Sequence, residues 1–209
     1  MYEKVSVLCC HLMRASDHGP TAFADFTAAS DGTGCSLGGP VTEDTRRFVR
    51  YNFSHAVSPE DLALMICDFA YENFTYDKDA VSFPQTADTN RFIFENHFTG
   101  VCLDYAAFTR TVFNIICRDK GWDHVGCHVA LGNDLKRDGH AVNYISVEQP
   151  DGSVVIYEFD VTRDLTRFQQ GKAPYELRFF FIAKNTRQIR DTIMSAFRTI
   201  YSYPLRALV

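Results

Sequence analysis

The chain has 209 residues, of which 46% are hydrophobic and 22% charged, and it carries a formal net charge of −5. This ordinary composition excludes a disordered, collagen-like or coiled-coil protein, and the acidic balance argues against a nucleic-acid partner, which usually requires a basic face. No apolar run approaches the roughly 18 residues that a membrane-spanning helix needs, so we expect no membrane partner.

The N-terminal segment, residues 1–41, is predicted to be an arm or a loosely ordered extension, and residues 42–209 to be one folded domain. Residues 14–40 are rich in Ser, Thr, Gly, Ala and Asp and end in Gly-Gly-Pro, which is typical of loops. The stretch Gly32–Gly34 lacks the Gly-Lys-Ser/Thr ending of a phosphate-binding loop, so a flexible loop is the simpler interpretation.

The cysteines and the first residues bear on the cellular compartment. The chain has seven cysteines, an odd number, so at least one of them cannot pair within the chain. No Cys-x-x-Cys pair occurs, which argues against a zinc ribbon or a thioredoxin motif. The short apolar run Val5–Cys10 is a poor match to a signal peptide. We therefore expect reduced thiols and a cytoplasmic location.

Two helices are predicted in the first half of the folded domain. Ser-Pro followed by two acids, at residues 58–61, predicts a helix N-terminus, and apolar residues at helical spacing continue this helix to about Asn73. Residues 77–98 look irregular. A second helix should begin just after Gly100 and end near Gly121, where basic residues and glycine are stop signals.

The second half is predicted to consist mostly of β-strands. Strand-like runs cover residues 125–131, 140–147 and 153–161. A strong turn, Gln149–Gly152, joins the last two of these runs. A further run over 177–183 is almost wholly apolar, and a final helix is expected from about Thr186. Helices followed by an antiparallel hairpin indicate an α+β fold.

Cys102, His140 and Asp160 are the candidate catalytic residues. Cys102 lies in the first turn of the second predicted helix, where unpaired backbone N–H groups and the helix dipole favour a thiolate. The thiolate is the nucleophilic form of cysteine, and the same N–H groups could hold an oxyanion. His140 and Asp160 flank the predicted hairpin turn, so that Asp160 can orient the imidazole towards Cys102.

This arrangement depends on the geometry of the hairpin. His140 and Asp160 face each other directly if the turn centres on Pro150. A two-residue turn at Asp151-Gly152 would instead put the two side chains on opposite faces of the sheet. The catalytic interpretation therefore requires an odd loop length or a bulge, for example one with Gly152 in a left-handed conformation.

Each of these residues also has an ordinary structural explanation. A lone cysteine is usually a small buried hydrophobe, a lone histidine in a strand is usually a satisfied polar group, and an aspartate at a strand end is usually a cap. A metal or redox site is a further alternative, because His124, Cys127 and His128 lie within five residues, although no fourth ligand is evident. We expect no metal and no cofactor.

Three segments resemble the transglutaminase-like superfamily. Gly100–Ala106 is similar to its nucleophile segment, Gly-x-Cys-x-x-Tyr-Ala. Gly139–Asn143 is similar to its Gly-His-Ala-Trp-Asn segment, and Glu158–Thr162 to its third segment, in which one residue separates Asp from Thr. The three segments occur in the family's order, and the resemblance covers about residues 58–165.

The resemblance implies a papain-like α+β core with the nucleophile at the N-terminus of a helix that packs on an antiparallel sheet. It implies that Cys102 is the nucleophile, His140 the general base and acid, and Asp160 the orienting residue. Members include transamidases, peptidases, deamidases and amidases, which share a thioester acyl-enzyme and need no metal for that chemistry. We therefore expect a cysteine-dependent amide hydrolase or acyltransferase that acts on a peptide or protein, with the oligomeric state left open.

Some positions depart from the family pattern. Val142 takes the place of the usual Trp, and Gly121–His124 stands where Gly-Ile-Pro-Ala is common. The large flanking β-domains of animal transglutaminases are not expected in a chain of this length. These features favour a compact hydrolase over a crosslinking enzyme. A non-catalytic member of the same fold that binds other proteins is the alternative, and the intact set of three candidate residues argues against it.

Three further residues are candidates for the oxyanion hole or for substrate contact. Asn96 lies six residues before Cys102 and has a suitable side-chain amide. His97 and the backbone are rival donors for an oxyanion. Asp104 is a first-turn acid that complements the helix dipole, and it could also touch the substrate.

Overall fold

The computed structural model describes residues 39–80, 87–134, 137–169 and 178–183. Within them the chain forms mainly helices first and an antiparallel sheet afterwards, a mixed fold that agrees with the predicted α+β class. The helices are α1 (Glu43–Phe53), α2 (Pro59–Asn73), α3 (Thr89–Phe94), α4 (Cys102–Lys120) and α5 (Val161–Gln169). The strands are β1 (Thr75–Tyr76), β2 (Thr99–Gly100), β3 (Val125–Asp134), β4 (Arg137–Glu148), β5 (Val154–Phe159) and β6 (Arg178–Ala183).

Side-chain caps determine where the first two helices begin. Thr42 caps α1 and Ser58 caps α2, and each hydroxyl accepts a hydrogen bond of 3.1 Å from the backbone N–H three residues further on. The predicted bounds of α2 are confirmed. Helix α1 was not predicted, because its buried face is small and consists of Thr45, Val49 and Phe53.

The prediction that residues 77–98 are irregular is wrong in its last part, where α3 forms. Asp88 caps this helix by accepting two hydrogen bonds from backbone N–H groups of the first turn. A helix of six residues is too short to leave a helical repeat in the sequence. Strand β2 then pairs in parallel with β1, with Thr75 opposite Thr99, and leads directly into α4.

Helix α4 confirms the second predicted helix, from just after Gly100 to Gly121. Gly121 ends it with a φ of 66°, in the left-handed region that glycine adopts without strain. The helix packs against β3 and β4. Its Phe108 also joins a cluster of buried rings, 6.2 Å from Phe53 and 5.9 Å from Phe92. Burial of each such ring stabilises the fold by about 2 kcal/mol, so α4 is well anchored in the core.

The main sheet has four antiparallel strands in the order β3-β4-β5-β6. The ladder between β4 and β5 begins with Asn143 opposite Phe159. It closes at a backbone hydrogen bond of 2.8 Å that Gln149 donates to Ser153. All the strand pairings in this sheet are between neighbours in sequence, so the sheet is a meander built from local hairpins.

The loop between β4 and β5 has the odd length that the catalytic interpretation requires. It has three residues, an odd number, and Gly152 is left-handed with a φ of 78°. The loop centres on Asp151 rather than on Pro150, so His140 and Asp160 are not directly opposite. Continued along the ladder, the register places them on the same face and one diagonal step apart, within reach of long side chains.

Helix α5 was not predicted. The run over 153–161, which we expected to be one strand, ends as a strand at Phe159, and Val161 begins the helix. Val161 and Leu165 lie one helical turn apart and are both buried in the main core. Asp160 at the junction satisfies the first turn of the helix, and that cap favours a helix over a longer strand.

Some predictions fall on parts of the chain that the structure does not describe. Residues 1–38 of the predicted arm (1–41) and the final helix expected from about Thr186 lie outside the described residues, and the division at residue 42 stays a prediction. The apolar run over 177–183 contains β6. Among the helices in the described ranges, none has the length and apolar character needed to cross a membrane.

Candidate active site

Cys102 is the first residue of α4. The residue before it, Val101, is extended and caps the helix, and its N–H donates to the carboxylate of Asp104 at 2.9 Å. This carboxylate also places negative charge at the helix N-terminus, where the dipole favours it. The side chain of Cys102 is 8% exposed and packs in a small cluster with Leu103 and Ala141. The thiol therefore lies at the N-terminus of a helix, in its first turn.

Gly100 is required by the close approach of Asp104. A Cβ atom at Gly100 would lie 2.7 Å from Oδ2 of Asp104 and 3.0 Å from its Cβ. These distances are too short for any larger side chain unless the carboxylate moves. The glycine and the acid on either side of Cys102 thus form one unit that determines where α4 begins.

We expect Gly100→Ala to lower the free energy of unfolding by about 2 kcal/mol, because the new methyl group must displace the Asp104 carboxylate. Asp104→Ala removes the atom that lies closest to that methyl group. The cost of alanine at position 100 should therefore be smaller in the double variant than in the parent protein. Urea unfolding of the four proteins measures both costs, and equal costs in the two backgrounds would contradict the close approach.

His140, in β4, joins the other two candidates. Its Nε2 lies 2.8 Å from Oδ2 of Asp160, and the imidazole also shares a hydrogen bond with Cys102. An ionised carboxylate can only accept, so Nε2 donates to Asp160 and Nδ1 is left to face the thiol. Burial lowers the pKa of His140, but the hydrogen bonds with Asp160 and Cys102 and their charges raise it to about 10. The imidazole is therefore a cation at neutral pH.

Asp160 has two roles at the junction of β5 and α5. One carboxylate oxygen accepts from His140, while the other accepts from the backbone N–H of Arg163 at 3.0 Å and so caps α5. The side chain is 4% exposed. Burial raises the pKa of Asp160, but the hydrogen bond with His140 and the charges of His140 and Arg163 hold it below its usual value. The hydrogen bond to the N–H of Arg163 keeps the carboxylate in place, and the negative charge of the carboxylate attracts the imidazolium of His140.

We expect Asp160→Asn to separate these two roles, because asparagine is also a good helix cap. The raised pKa of His140 means that its ion pair with Asp160 stabilises the fold fully below pH 6.5, and that this contribution disappears as the pH rises through about 10. The variant should therefore be less stable than the parent by about 2 kcal/mol near pH 6.

The difference in stability should shrink towards pH 10. Urea unfolding of both proteins at pH 6 and near pH 10 measures it, and Asp160→Ala, which loses the cap as well, provides the comparison. A difference that is the same at both pH values would show that the ion pair is not formed.

The sequence did not reveal that Arg163 and Glu158 belong to this site. Arg163 lies in the first turn of α5 and forms an ion pair with Glu158 of β5 at 2.9 Å. Its Nε lies 3.9 Å from Oδ2 of Asp160, the oxygen that His140 contacts. The available signal was an arginine three residues after a capping aspartate, but that signal requires α5 to be recognised first.

Of the three weaker candidates, Asn96 and His97 lie in the chain that leads to α4, and Asp104 lies in the first turn of α4. Asn96 is partly buried in the turn after α3, and its carbonyl accepts from the N–H of Thr99 at 2.9 Å. His97 is exposed and has a φ of 47°, which turns the chain back towards β2. Asp104 accepts from Val101, as described above. An oxyanion role for Asn96 or His97, and a substrate contact for Asp104, stay predictions.

The residues of the alternative metal site point in different directions. Cys127 and His128 are neighbours in β3, so their side chains lie on opposite faces of the sheet. Nδ2 of Asn143 donates to the sulfur of Cys127 at 3.6 Å, and Nε2 of His128 lies 3.1 Å from the hydroxyl of Ser146. Within the described ranges, no three His, Cys, Asp or Glu side chains are grouped so that they could hold a metal ion.

The other cysteines in the described residues differ from Cys102 in their surroundings. Cys67, Cys117 and Cys127 are buried, as Cys102 is, and the difference is that Cys102 begins a helix and shares a hydrogen bond with His140. Burial raises the pKa of Cys117 to about 12 and also raises that of Cys67 and Cys127. These three thiols therefore stay protonated at neutral pH and are internal standards for any test of Cys102.

No family model matches the chain, and none of the curated proteins compared with it matches either. Among solved structures, the chain is similar to a proposed cysteine protease from Cytophaga hutchinsonii, with 20% identity, a TM-score of 0.45 and coverage of 80% of this chain. It is also similar to a transglutaminase, with 14% identity, a TM-score of 0.40 and coverage of 58% of this chain. The matches span 48% and 33% of the lengths of those two proteins.

Proposed function

We propose that this protein is a transglutaminase-like, cysteine-dependent amide hydrolase or acyltransferase that acts on peptide or protein substrates. The observation that carries the proposal is the position of His140, which contacts a buried carboxylate at 2.8 Å and shares a hydrogen bond with the thiol at the start of α4. Taken singly, each residue has an ordinary structural explanation. A buried imidazolium held between a carboxylate and a thiol has a direct use in nucleophilic catalysis.

In the first step, the sulfur of Cys102 attacks the carbonyl carbon of an amide. The thiol proton resides on Nδ1 of His140, so the attacking group is a thiolate beside an imidazolium. A C–S bond forms, and the carbonyl oxygen becomes an oxyanion. Backbone N–H groups at the N-terminus of α4 are the proposed donors to that oxyanion.

In the second step, the C–N bond of the substrate breaks and the amine leaves with the proton from His140. The acyl group remains on Cys102 as a thioester. A water molecule or a second amine then attacks this thioester and gives its proton to His140. The thiolate leaves, and the site returns to its starting state. Water gives hydrolysis, and an amine gives transamidation.

The experiment that tests this proposal is acyl transfer from p-nitrophenyl acetate, an activated ester whose leaving group needs no proton. We expect nitrophenolate release and an acetyl group that peptide mass mapping locates on Cys102. Cys67, Cys117 and Cys127 are the internal controls, because burial keeps them as thiols. Addition of a primary amine measures how the acyl group is divided between amine and water.

A folded protein that acquires no acetyl group on Cys102 would contradict the proposed activity. That result would favour the non-catalytic alternative, in which the same fold binds other proteins. Acetylation of Cys67, Cys117 or Cys127 in preference to Cys102 would also contradict the proposal, because reactivity would then follow accidental exposure of a thiol.

A further inference from the structure

We propose that Arg163 is a positioning residue of this site, acting on His140 through the carboxylate of Asp160, and that Glu158 holds the guanidinium in place. This inference rests on the proposed function, because it concerns how readily His140 releases its proton. It assigns a part to two residues that neither the sequence pattern nor the triad requires.

The first observation is that Arg163 and His140 share one oxygen. Nε2 of His140 lies 2.8 Å from Oδ2 of Asp160, and Nε of Arg163 lies 3.9 Å from the same atom. The Nε of Arg163 is buried and has no closer hydrogen-bond partner in the described residues. Two cationic groups therefore flank one buried carboxylate, and each reduces the negative charge that the other experiences.

The second observation is that an ion pair with Glu158 restrains the guanidinium of Arg163. Its Nη2 donates to Oε1 of Glu158 at 2.9 Å, and this carboxylate is only 16% exposed. Glu158 is in β5 and Arg163 in the first turn of α5, so the pair bridges the strand–helix junction at which Asp160 lies. A long side chain that is fixed at its far end stays beside Asp160 instead of moving into solvent.

The third observation is that Asp160 does not need the side chain of Arg163 to stay in place. The carboxylate is already fixed by the backbone N–H of Arg163 at 3.0 Å, and a substitution at this position keeps that bond. The guanidinium therefore acts by its charge. Among the described residues, the groups that face His140 are Cys102 from α4 and Asp160, with Arg163, Glu158 and Asp164 behind Asp160.

The direction of the effect follows from the charges. Arg163 opposes a proton on His140, and Glu158 partly cancels that opposition. A general acid works best when its pKa lies near the working pH, because a group that holds its proton too strongly is slow to give it to a leaving amine. Arg163 thus makes the imidazolium of His140 a better donor to the leaving group.

The experiment measures the titration of His140 by NMR with labelled histidine, the signal being identified by its loss in His140→Gln. The variants are Arg163→Met, Glu158→Gln and the double variant of these two, with Arg163→Lys to retain the charge. Arg50→Met is the matched control, because Arg50 forms a similar short ion pair with Asp119, at 2.7 Å, on an exposed surface. The pH dependence of Cys102 alkylation by iodoacetamide is the second readout.

We expect Arg163→Met to raise the titration midpoint of His140 by about one pH unit. Glu158→Gln should lower it by a similar amount, because glutamine keeps an oxygen that can accept from Nη2 of Arg163 and removes only the negative charge. The double variant should return close to the parent, since it removes both charges. Arg163→Lys should stay close to the parent, and Arg50→Met should not move the midpoint. A merely structural role would lower stability and leave the direction of these shifts unexplained.

Unmoved midpoints in folded Arg163→Met and Glu158→Gln would overturn this inference, and shifts in the same direction in both would also overturn it. These measurements use no substrate, so the outcome is distinguishable from a failure of the proposed function. Normal acyl transfer with unmoved midpoints would refute only the part assigned to Arg163. Shifted midpoints without any acyl transfer would refute the proposed activity and retain the link between Arg163 and His140.

Discussion

Cys102→Ala is expected to lower the rate of p-nitrophenyl acetate hydrolysis by on the order of 10⁴-fold, to the level of the uncatalysed reaction with whatever help the helix N-terminus supplies. The reason is that the variant has no atom that can form the thioester. The side chain it removes is small, so the fold should be retained. Steady-state kinetics with circular dichroism on the same sample measures both.

Cys117→Ala is the matched control for this experiment. Both cysteines lie on α4, and both side chains are 8% exposed. Only Cys102 is at the helix N-terminus and shares a hydrogen bond with an imidazole. Cys117→Ala should therefore keep full activity, with at most a modest loss of stability from the small cavity. Equal activity of Cys102→Ala and the parent protein would remove the proposed nucleophile.

His140→Ala is expected to slow the alkylation of Cys102 by iodoacetamide at pH 6 by on the order of a hundredfold. An ordinary thiol has a pKa of about 8.5, so only a small fraction is thiolate at pH 6. In the parent protein, His140 shares a hydrogen bond with Cys102, and a neighbouring imidazolium makes a cysteine more reactive. Without it, the rate should rise about tenfold for each pH unit, as it does for an unassisted thiol.

The matched control for this second experiment is His128→Gln. His128 is also a histidine in a strand and is partly buried, and its Nε2 lies 3.1 Å from the hydroxyl of Ser146. Burial lowers the pKa of His128 to about 3, so it is neutral and adds no positive charge near any thiol. Its replacement should leave the pH profile of Cys102 unchanged. Identical profiles for the parent and His140→Ala would show that no thiolate–imidazolium pair exists.

Several parts of the fold could be predicted because the cause is local. The bounds of α2 follow from a Ser-Pro start, and the end of α4 follows from Gly121, which adopts the left-handed φ that ends a helix. The position of Cys102 at the start of α4 follows from the same kind of local signal. A residue's place in a helix turn depends on its near neighbours, so the sequence shows it directly.

The parts that were missed have a physical reason in common. Helix α3 is too short for a helical repeat, and α1 buries too few side chains to show a stripe. Helix α5 has no distinct signal in the sequence, because an aspartate such as Asp160 fits the end of a strand as well as a helix cap. Asp160 both contacts His140 and caps α5, and the sequence pattern around it indicates only the first of these roles.

The three candidate side chains, their order along the chain and the need for an odd hairpin loop can all be inferred from the residues alone. Tertiary structure decided that the loop centres on Asp151, so that His140 reaches Asp160 diagonally at 2.8 Å. The tertiary structure also brings the Arg163–Glu158 ion pair next to the carboxylate of Asp160. The physical reason is that distances across a sheet depend on the register and on the chain that follows it, which no local pattern of residues encodes.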